Sequence, residues 1–265
     1  MHDRTILLRF GLALALWLLP LGHPCIADDN GAISRGMDAV KTDFRNFYLD
    51  RGNLTKLGIG VAGAAVFANT NMDRYIRDKY QNDLRSEETD DVTKPFNMSG
   101  TMLALVTVPV YIGAYGAGLA LHNSTMAEWA QKSFRASLVG ETAVVFLAPT
   151  LGADRPDEGD SHWRPYRNIR GVSGHTFLAA VPFITAAKMS ENPYLKVILY
   201  GISTLTGLSR INDDKHYFSQ VGLGWYIAYL SCAVVEKGND RQEGRLNVQF
   251  AAVPKGLAIT VQKSY

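Results

Sequence analysis

This chain contains few cysteines and carries little net charge. Its 265 residues include only two cysteines, and the formal net charge is +2 at neutral pH. A nearly balanced charge does not favour a nucleic-acid partner, which binds strongly basic surfaces. No linker of biased composition divides the sequence, so its length and its 47% apolar content predict one domain with a sizeable core.

The beginning of the chain is typical of an export signal. Two arginines are followed by the apolar stretch 10–21 and then by a small residue, Ala27, that precedes two aspartates. We expect cleavage after Ala27, which divides the chain into a signal peptide, 1–27, and one mature domain, 28–265. The pattern therefore predicts export to the periplasm.

Removal of this signal would also remove one cysteine. Cys25 would leave with the signal, so Cys232 would be alone in the mature chain and no intramolecular disulfide could form. Pro24 stands where a lipoprotein signal needs a small residue, so lipid attachment is not expected. The fold must therefore be held by its core, even in an oxidising compartment.

Motifs that bind metal ions are lacking too. His162, His175 and His216 could in principle form a zinc site, but they lack the short His-x-x-x-His spacing and a companion carboxylate on the same helix. His122 belongs to no pattern. We therefore predict no metal ligands and a metal-independent site.

Apolar runs at helical length dominate the rest of the sequence and predict an all-α bundle of about six core helices. The runs are 54–69, 98–121, 136–151, 176–187, 197–208 and 219–235. The heavily charged stretch 73–94 reads as a solvated connection. Apolar and polar residues alternate near the end of the chain, on either side of a Pro-Lys-Gly turn, which predicts a small β-hairpin over 245–262.

The apolar runs are mostly too short to cross a membrane. Spanning requires about 20 apolar residues per helix, and only Met98–Leu121 clearly reaches that length. If the runs 54–69, 98–121 and 136–151 all crossed the membrane, Arg155 of an exported chain would also lie in the cytoplasm. A soluble or membrane-peripheral periplasmic protein is the favoured interpretation, with integral insertion as the alternative.

Three short motifs suggest a pocket for a tetrahedral oxyanion. They are Arg155-Pro156, Ser173-Gly174-His175, and Ser209-Arg210 followed by His216. Arginine holds phosphate oxygens through bidentate, charge-assisted hydrogen bonds. Histidine serves as nucleophile or acid near neutral pH, and the amides at a helix start, expected near Thr176, bind anions.

In this order and spacing, the motifs over 148–220 resemble the signature of the type 2 phosphatidic acid phosphatase (PAP2) and vanadium haloperoxidase superfamily. The resemblance implies an α-bundle in which His216 is the nucleophile that forms a phosphohistidine. It also implies that His175 is the acid for the leaving group and then the base for water. The implied phosphate ligands are Arg155, Ser173, Gly174 and Arg210.

Two positions depart from this pattern in the first two motifs. Ala148 stands where the family has a lysine, seven residues before the arginine, so one phosphate cation is missing unless Lys215, Arg164 or another side chain replaces it. Arg167 and Arg170, in the same basic loop, are expected to be solvated. In the second motif Val172 replaces a proline, which changes the stiffness of the loop more than its chemistry.

The third motif departs at Gln220, where the family has an aspartate. His216 and Gln220 are four residues apart and would share a helix face. The glutamine oxygen can accept the imidazole Nδ1 proton, but it brings no charge. We therefore expect orientation of His216 without full basicity, and a slower or more specialised enzyme. Asp213 and Asp214 are expected to shape the turn.

The sequence thus predicts an exported phosphomonoesterase that needs no cofactor and acts on a small-molecule or lipid phosphate. A vanadate-dependent haloperoxidase is one alternative, in which vanadate is a prosthetic group and not merely an inhibitor. A non-catalytic phosphate-binding or structural homologue is another, motivated by Ala148 and Gln220. His162 and Trp163 either border the substrate path or only pack in their loop, and contact with a membrane fits a lipid substrate.

Overall fold

The computed structural model describes residues 29–97, 100–243, 246–253 and 256–263. The predicted signal peptide, 1–27, lies outside these residues. Contacts divide the chain into two compact units, Met1–Ala39 and Val40–Tyr265. All of the predicted site residues belong to the second unit.

Helices account for most of the described residues before the C-terminal hairpin, and the predicted all-α class is confirmed. Their bounds are α1 Asp29–Tyr48, α2 Arg51–Ala68, α3 Met72–Lys79, α4 Glu87–Thr93, α5 Gly100–Ala120, α6 Ser124–Leu151, α7 Gly174–Met189, α8 Pro193–Asn212 and α9 Phe218–Glu243, with a π-helical turn at Tyr80–Leu84 and a 3-10 turn at Lys94–Phe96. Helices α2 and α5–α9 correspond to the six predicted apolar runs.

The chain ends in two short strands. Strand β1, Leu246–Val253, pairs antiparallel with β2, Gly256–Lys263, so that Val253 lies opposite Gly256. These bounds agree with the hairpin predicted over 245–262. The alternation of apolar and polar residues is the period of a strand, which explains why this segment leaves the helical pattern.

Helix α7 lies against α6, α8 and α9 and packs into the core that they share. Phe177, Val181 and Ile184 recur at helical spacing on one face of α7 and are fully buried. A Cβ atom at Gly140 of α6 would lie 2.3 Å from the Phe177 ring, so a larger residue there would clash with α7. Each such apolar side chain stabilises the fold by roughly 1.5–3 kcal/mol.

Helix α6 also carries buried charges that pair with its neighbours. Arg135 donates to both carboxylate oxygens of Asp43 in α1, at 2.7 and 2.9 Å. Lys132 lies 2.9 Å from Glu236 of α9 and is only 4% exposed. Paired in this way, the charges are tolerated inside the bundle.

Two helices in the described part of the chain are long and apolar enough to cross a membrane by length and composition. They are Ser124–Leu151 and Phe218–Gly238, and the most apolar windows of these helices are 50% and 61% buried within the protein. The expectation that only Met98–Leu121 reaches this length was wrong. The uncharged runs in the sequence are shorter than the helices that contain them. Helix α6, for example, extends through charged residues such as Lys132.

Candidate active site

Four predicted site residues line one cavity of about 320 Å³. Arg155 lies in the loop after α6, His175 in the first turn of α7, Arg210 in the last turn of α8, and His216 just before α9. The cavity is lined by Asn97, Arg155, His175, Arg210, Asp213, Lys215 and His216. The two imidazole rings have their centroids 6.2 Å apart.

The tautomer of His216 follows from the hydrogen bonds of Gln220. Gln220 donates from Nε2 to the Asp154 carbonyl at 2.7 Å, and its Oε1 accepts from the Tyr217 amide at 3.1 Å. The carboxamide is therefore oriented with Oε1 toward His216 Nδ1, at 2.8 Å. Because Oε1 can only accept, Nδ1 carries the proton and Nε2 keeps its lone pair.

The contact between these two residues forms across the start of α9. The helix begins at Phe218, so His216 precedes it, while Gln220 is fully buried in its first turn. The amide of Val221 donates to the Tyr217 carbonyl, which continues the helical hydrogen bonding back toward His216. The spacing of four residues thus gives the predicted proximity.

Arg155 and Arg210 each keep a donor without a partner in the described structure. The Nε atoms of both residues are buried and make no hydrogen bond. Nη2 of Arg210 is bonded to Asn97 Oδ1 and lies 3.1 Å from Asp213 Oδ2. Burial lowers the pKa of both arginines. Since an unpaired buried donor costs about 1–3 kcal/mol, an anion between these guanidinium groups would be stabilised.

Ser173 caps α7, as a serine at a helix start commonly does. Its Oγ accepts from the Thr176 amide at 3.4 Å and from the Thr176 hydroxyl at 2.9 Å. The Ser173 amide donates to the Gln220 carbonyl at 3.0 Å and is therefore already used. Neither Ser173 nor Gly174 lines the cavity. Their contact with phosphate stays a prediction, whereas the hydrogen bond from the Ser173 amide to the Gln220 carbonyl joins the second motif to the third.

Both histidines have lowered pKa values. Burial, followed by the charges of Arg210, Arg155 and Arg170, lowers the pKa of His175 to about 4. Burial lowers the pKa of His216 to about 3, and the hydrogen bond that His216 donates to Gln220 opposes this shift only in part. Both rings are therefore neutral at pH 7 while the cavity holds no anion.

The charged stretch 73–94 is not the solvated connection that its composition predicts. Asp73 of α3 is fully buried and accepts from the Ser219 amide at 2.9 Å and from its hydroxyl at 2.6 Å. Arg77, one turn later, pairs with both carboxylate oxygens of Asp214. The stretch therefore holds the segment that carries His216.

Further contacts from the same stretch hold the end of α8. Asn212 is fully buried, donates to Asp90 at 2.6 Å and accepts from the Tyr80 hydroxyl at 3.1 Å. Gln81 donates to the Ile211 carbonyl at 2.9 Å. Asp73, Arg77 and Gln81 recur every four residues, but polar residues at this spacing are equally typical of a solvated helix face, so the spacing alone gives no signal of these contacts.

The two candidate replacements for the missing lysine differ in position. Arg164 pairs with Asp154 at 3.3 Å and with Asp160 at 2.8 Å, and it does not line the cavity. Lys215 does line it, and its Nζ lies 3.2 Å from Asp157 at the surface.

Other residues from the sequence analysis take structural positions. Asp214 shapes the turn, as predicted, with a left-handed φ of 52°, whereas Asp213 also lines the cavity. The His162 amide donates to Asp160 at 3.1 Å, and the Trp163 amide donates to Asn69 at 2.9 Å. Neither His162 nor Trp163 lines the cavity, which favours loop packing.

Residues 133–242 match the family model of the PAP2 superfamily. The predicted PAP2 resemblance is confirmed. Every cavity residue except Asn97 lies within this PAP2 segment, whereas Asn97 and the charged stretch 73–94 precede it. The match supports a phosphatase-type function for the chain.

Comparison with individual proteins adds little to the PAP2 match. No curated protein matches the chain. A solved structure titled "Crystal structure of the first transmembrane PAP2 type phosphatidylglycerolphosphate phosphatase from Bacillus subtilis" is 16% identical, with coverage of 81% of this chain and 98% of that chain and a TM-score of 0.39. A likeness with so low a TM-score carries no argument.

Proposed function

We propose that this protein is an exported, metal-independent phosphomonoesterase that works through a phosphohistidine at His216. The observation that carries the proposal is the Gln220–His216 hydrogen bond, which leaves Nε2 unprotonated in the same cavity as Arg155 and Arg210. An oriented neutral imidazole beside two guanidinium groups suits attack on a bound phosphate.

In the first step, Arg155 and Arg210 hold the phosphate oxygens with charge-assisted hydrogen bonds. His216 Nε2 attacks phosphorus, an N–P bond forms, and the bond to the leaving oxygen breaks. Protonated His175 gives its proton to that oxygen, so the alcohol leaves neutral. The phosphate charge raises the pKa of His175 from the low value of the empty site, because an opposite charge favours the protonated ring.

In the second step, water attacks the phosphorus of phosphohistidine. Neutral His175 takes the proton from the water, the N–P bond breaks, and its electron pair returns to His216 Nε2. Nδ1 keeps its proton and its bond to Gln220 throughout both steps. Because the Gln220 oxygen is neutral, it stabilises the cationic phosphohistidine less than a carboxylate would, and this favours slow turnover.

The substrate we propose is a lipid phosphate or a related small phosphomonoester. The PAP2 match supports a phosphate ester, and the two apolar helices of span length are compatible with an enzyme that works at a membrane surface. We propose a periplasmic location with peripheral membrane association, for which the support is the signal pattern and the buried charges of α6.

Hydrolysis of an aryl phosphate by the purified mature protein tests the mechanism. His216→Ala and Arg210→Ala should each lower kcat/KM at least 100-fold, since each removes a group that acts on the reacting phosphorus or its oxygens. His122→Asn is the matched control, because His122 does not line the cavity and asparagine tolerates its left-handed φ. Unchanged hydrolysis by both cavity variants would overturn the proposal.

Trapping of the intermediate provides a second test. A phosphate ester labelled with radioactive phosphorus, quenched with alkali during turnover, should leave acid-labile label on the wild-type protein and none on His216→Ala. The neutral Gln220 favours one other candidate, a protein that binds phosphate without turnover. Vanadate binding with no hydrolysis would support that candidate, and halide oxidation only after vanadate is added would support a haloperoxidase.

A further inference from the structure

Three arginines in the described chain have a buried Nε without a hydrogen-bond partner. They are Arg155, Arg170 and Arg210. Arg155 and Arg210 line the cavity, whereas Arg170 is not one of its lining residues and was expected to be a solvated residue of the basic loop. An unpaired buried donor is costly, so the third of these arginines requires an explanation.

The backbone beside Arg170 lies directly against Ala148. The amide of Gly171 donates to the Ala148 carbonyl at 3.2 Å. A Cβ atom at position 171 would lie 2.6 Å from Leu151 Cβ and 2.9 Å from the Ala148 carbonyl oxygen, so glycine permits this approach. Arg170 is thereby held next to the position at which the PAP2 resemblance leads us to expect a lysine.

The charge of Arg170 also acts on the cavity. It contributes to the lowered pKa of Arg155 and to that of His175. Its nearest acidic group is Glu158, whose Oε1 lies 3.6 Å from Arg170 Nη2, which is too long for a strong hydrogen bond. With a side chain only 30% exposed, Arg170 is neither fully solvated nor tightly paired.

We propose that Arg170 is the third phosphate cation of this site and takes over the role of the lysine that is missing at Ala148. The proposal rests on the proposed function in that the ligand is a phosphate. The guanidinium group approaches from the loop before α7, not from α6, and its unpaired Nε donates to one phosphate oxygen. It binds substrate in the ground state, so its loss raises KM more than it lowers kcat.

Binding of inorganic phosphate, measured by calorimetry with the full mature protein, tests this assignment. Arg170→Gln should weaken phosphate binding by about 10- to 100-fold, the loss of one charge-assisted hydrogen bond. Arg167→Gln is the matched control, since the Arg167 side chain is 59% exposed and its Nη2 lies 4.0 Å from Asp154 Oδ2, a distance too long for a hydrogen bond. It removes the same charge from the same loop and should change binding less than twofold.

Two further variants separate a ligand from a merely structural residue. Arg170→Lys keeps a cation and should retain binding within about tenfold of the wild type. Ala148→Lys, added to Arg170→Gln, should recover most of the lost affinity for phosphate, because the new amine restores a positive charge at the position where the resemblance implies a lysine. If this buried substitution prevents folding, the comparison of Arg170→Gln, Arg170→Lys and Arg167→Gln decides alone.

The control Arg210→Gln distinguishes failure of this inference from failure of the proposed function. If Arg210→Gln weakens phosphate binding and Arg170→Gln does not, Arg170 is not a ligand and the site still binds phosphate. If neither variant weakens binding, the cavity is not a phosphate site and both proposals are overturned. Equal losses in Arg170→Gln and Arg167→Gln would also overturn the inference, because a general charge effect would explain them.

Discussion

Arg77 and Asp214 form a two-point ion pair although 137 residues separate them in sequence. Nε donates to Oδ1 at 2.7 Å, and Nη2 lies 2.5 Å from Oδ2. Asp214 adopts a left-handed φ of 52° in the short loop between Arg210 and His216. The pair therefore holds the loop that sets Arg210, the proposed phosphate ligand, relative to His216, the proposed nucleophile.

Loss of this ion pair should impair catalysis without removing any group that touches the substrate. Arg77→Gln should lower kcat by about 10- to 100-fold, because small displacements of catalytic groups have effects of that size. Lys79→Gln is the control, since Lys79 pairs only with Asp83 at the surface. Steady-state kinetics and thermal unfolding of both variants check the prediction. A normal kcat in a folded Arg77→Gln protein would contradict it.

Replacement of Gln220 should reveal how much of the rate depends on the tautomer of His216. Gln220→Leu removes the acceptor for Nδ1–H and should lower kcat by about 100-fold or more, because the proton can then occupy Nε2. Gln220→Glu retains an acceptor and should keep more activity than the leucine variant. Measurement of kcat for both variants, with folding checked by circular dichroism, tests this order. Equal activity of the two would show that orientation of the ring does not limit the rate.

In the anion-free protein the two cavity histidines should lower stability as the pH falls below about 6.5, whereas Glu141, whose pKa burial raises to about 7, acts in the opposite direction. The pKa values of His175 and His216 are about 4 and 3 in the folded state, below the ordinary value of about 6.5. Between these values the unfolded chain binds more protons than the folded one, so the free energy of unfolding decreases as protons are added. Urea unfolding at pH 7 and pH 5 measures the loss.

Two comparisons make the pH experiment specific to these histidines. Vanadate or phosphate should reduce the loss, since a bound anion raises both pKa values toward the ordinary one. His175→Gln should lower the dependence of stability on pH over the same interval. The same dependence of the free energy of unfolding on pH in His175→Gln and in the wild type would contradict the shifts.

Alkaline carbonate should release this protein from membranes. The most apolar window of α6 is half buried in the protein, and Lys132 and Arg135 of this helix are paired inside the fold. A helix of this kind is better suited to a protein core than to lipid contact. Fractionation of cells that express the full chain, with an integral membrane protein as marker, tests the prediction. Full retention in the carbonate pellet would contradict it.

The residues of the motifs could be placed from sequence because their spacing is local or fixed by the family pattern. Arg155, His175, Arg210 and His216 do line one cavity. The contact from Gln220 to His216 could also be predicted, since residues four apart near a helix start are neighbours.

The contacts that the charged stretch 73–94 makes with the site could not be predicted in this way. Asp73 and Arg77 are four residues apart in a charged segment, which is the usual pattern of a solvated helix face. Their partners, Ser219 and Asp214, lie more than a hundred residues away, and no local pattern specifies such pairs. Asn97 was missed for the same reason, because its contact with Arg210 arises only in the fold.

The carboxamide of Gln220 has a consequence for how this site can evolve. It uses both ends at once, with the oxygen on His216 and the nitrogen on the Asp154 carbonyl. A carboxylate at 220 would add charge to the histidine but would have no proton to give to that carbonyl. Exchange between a glutamine and a carboxylate at position 220 therefore requires a second change near Asp154, because the single substitution leaves the Asp154 carbonyl without its hydrogen-bond donor.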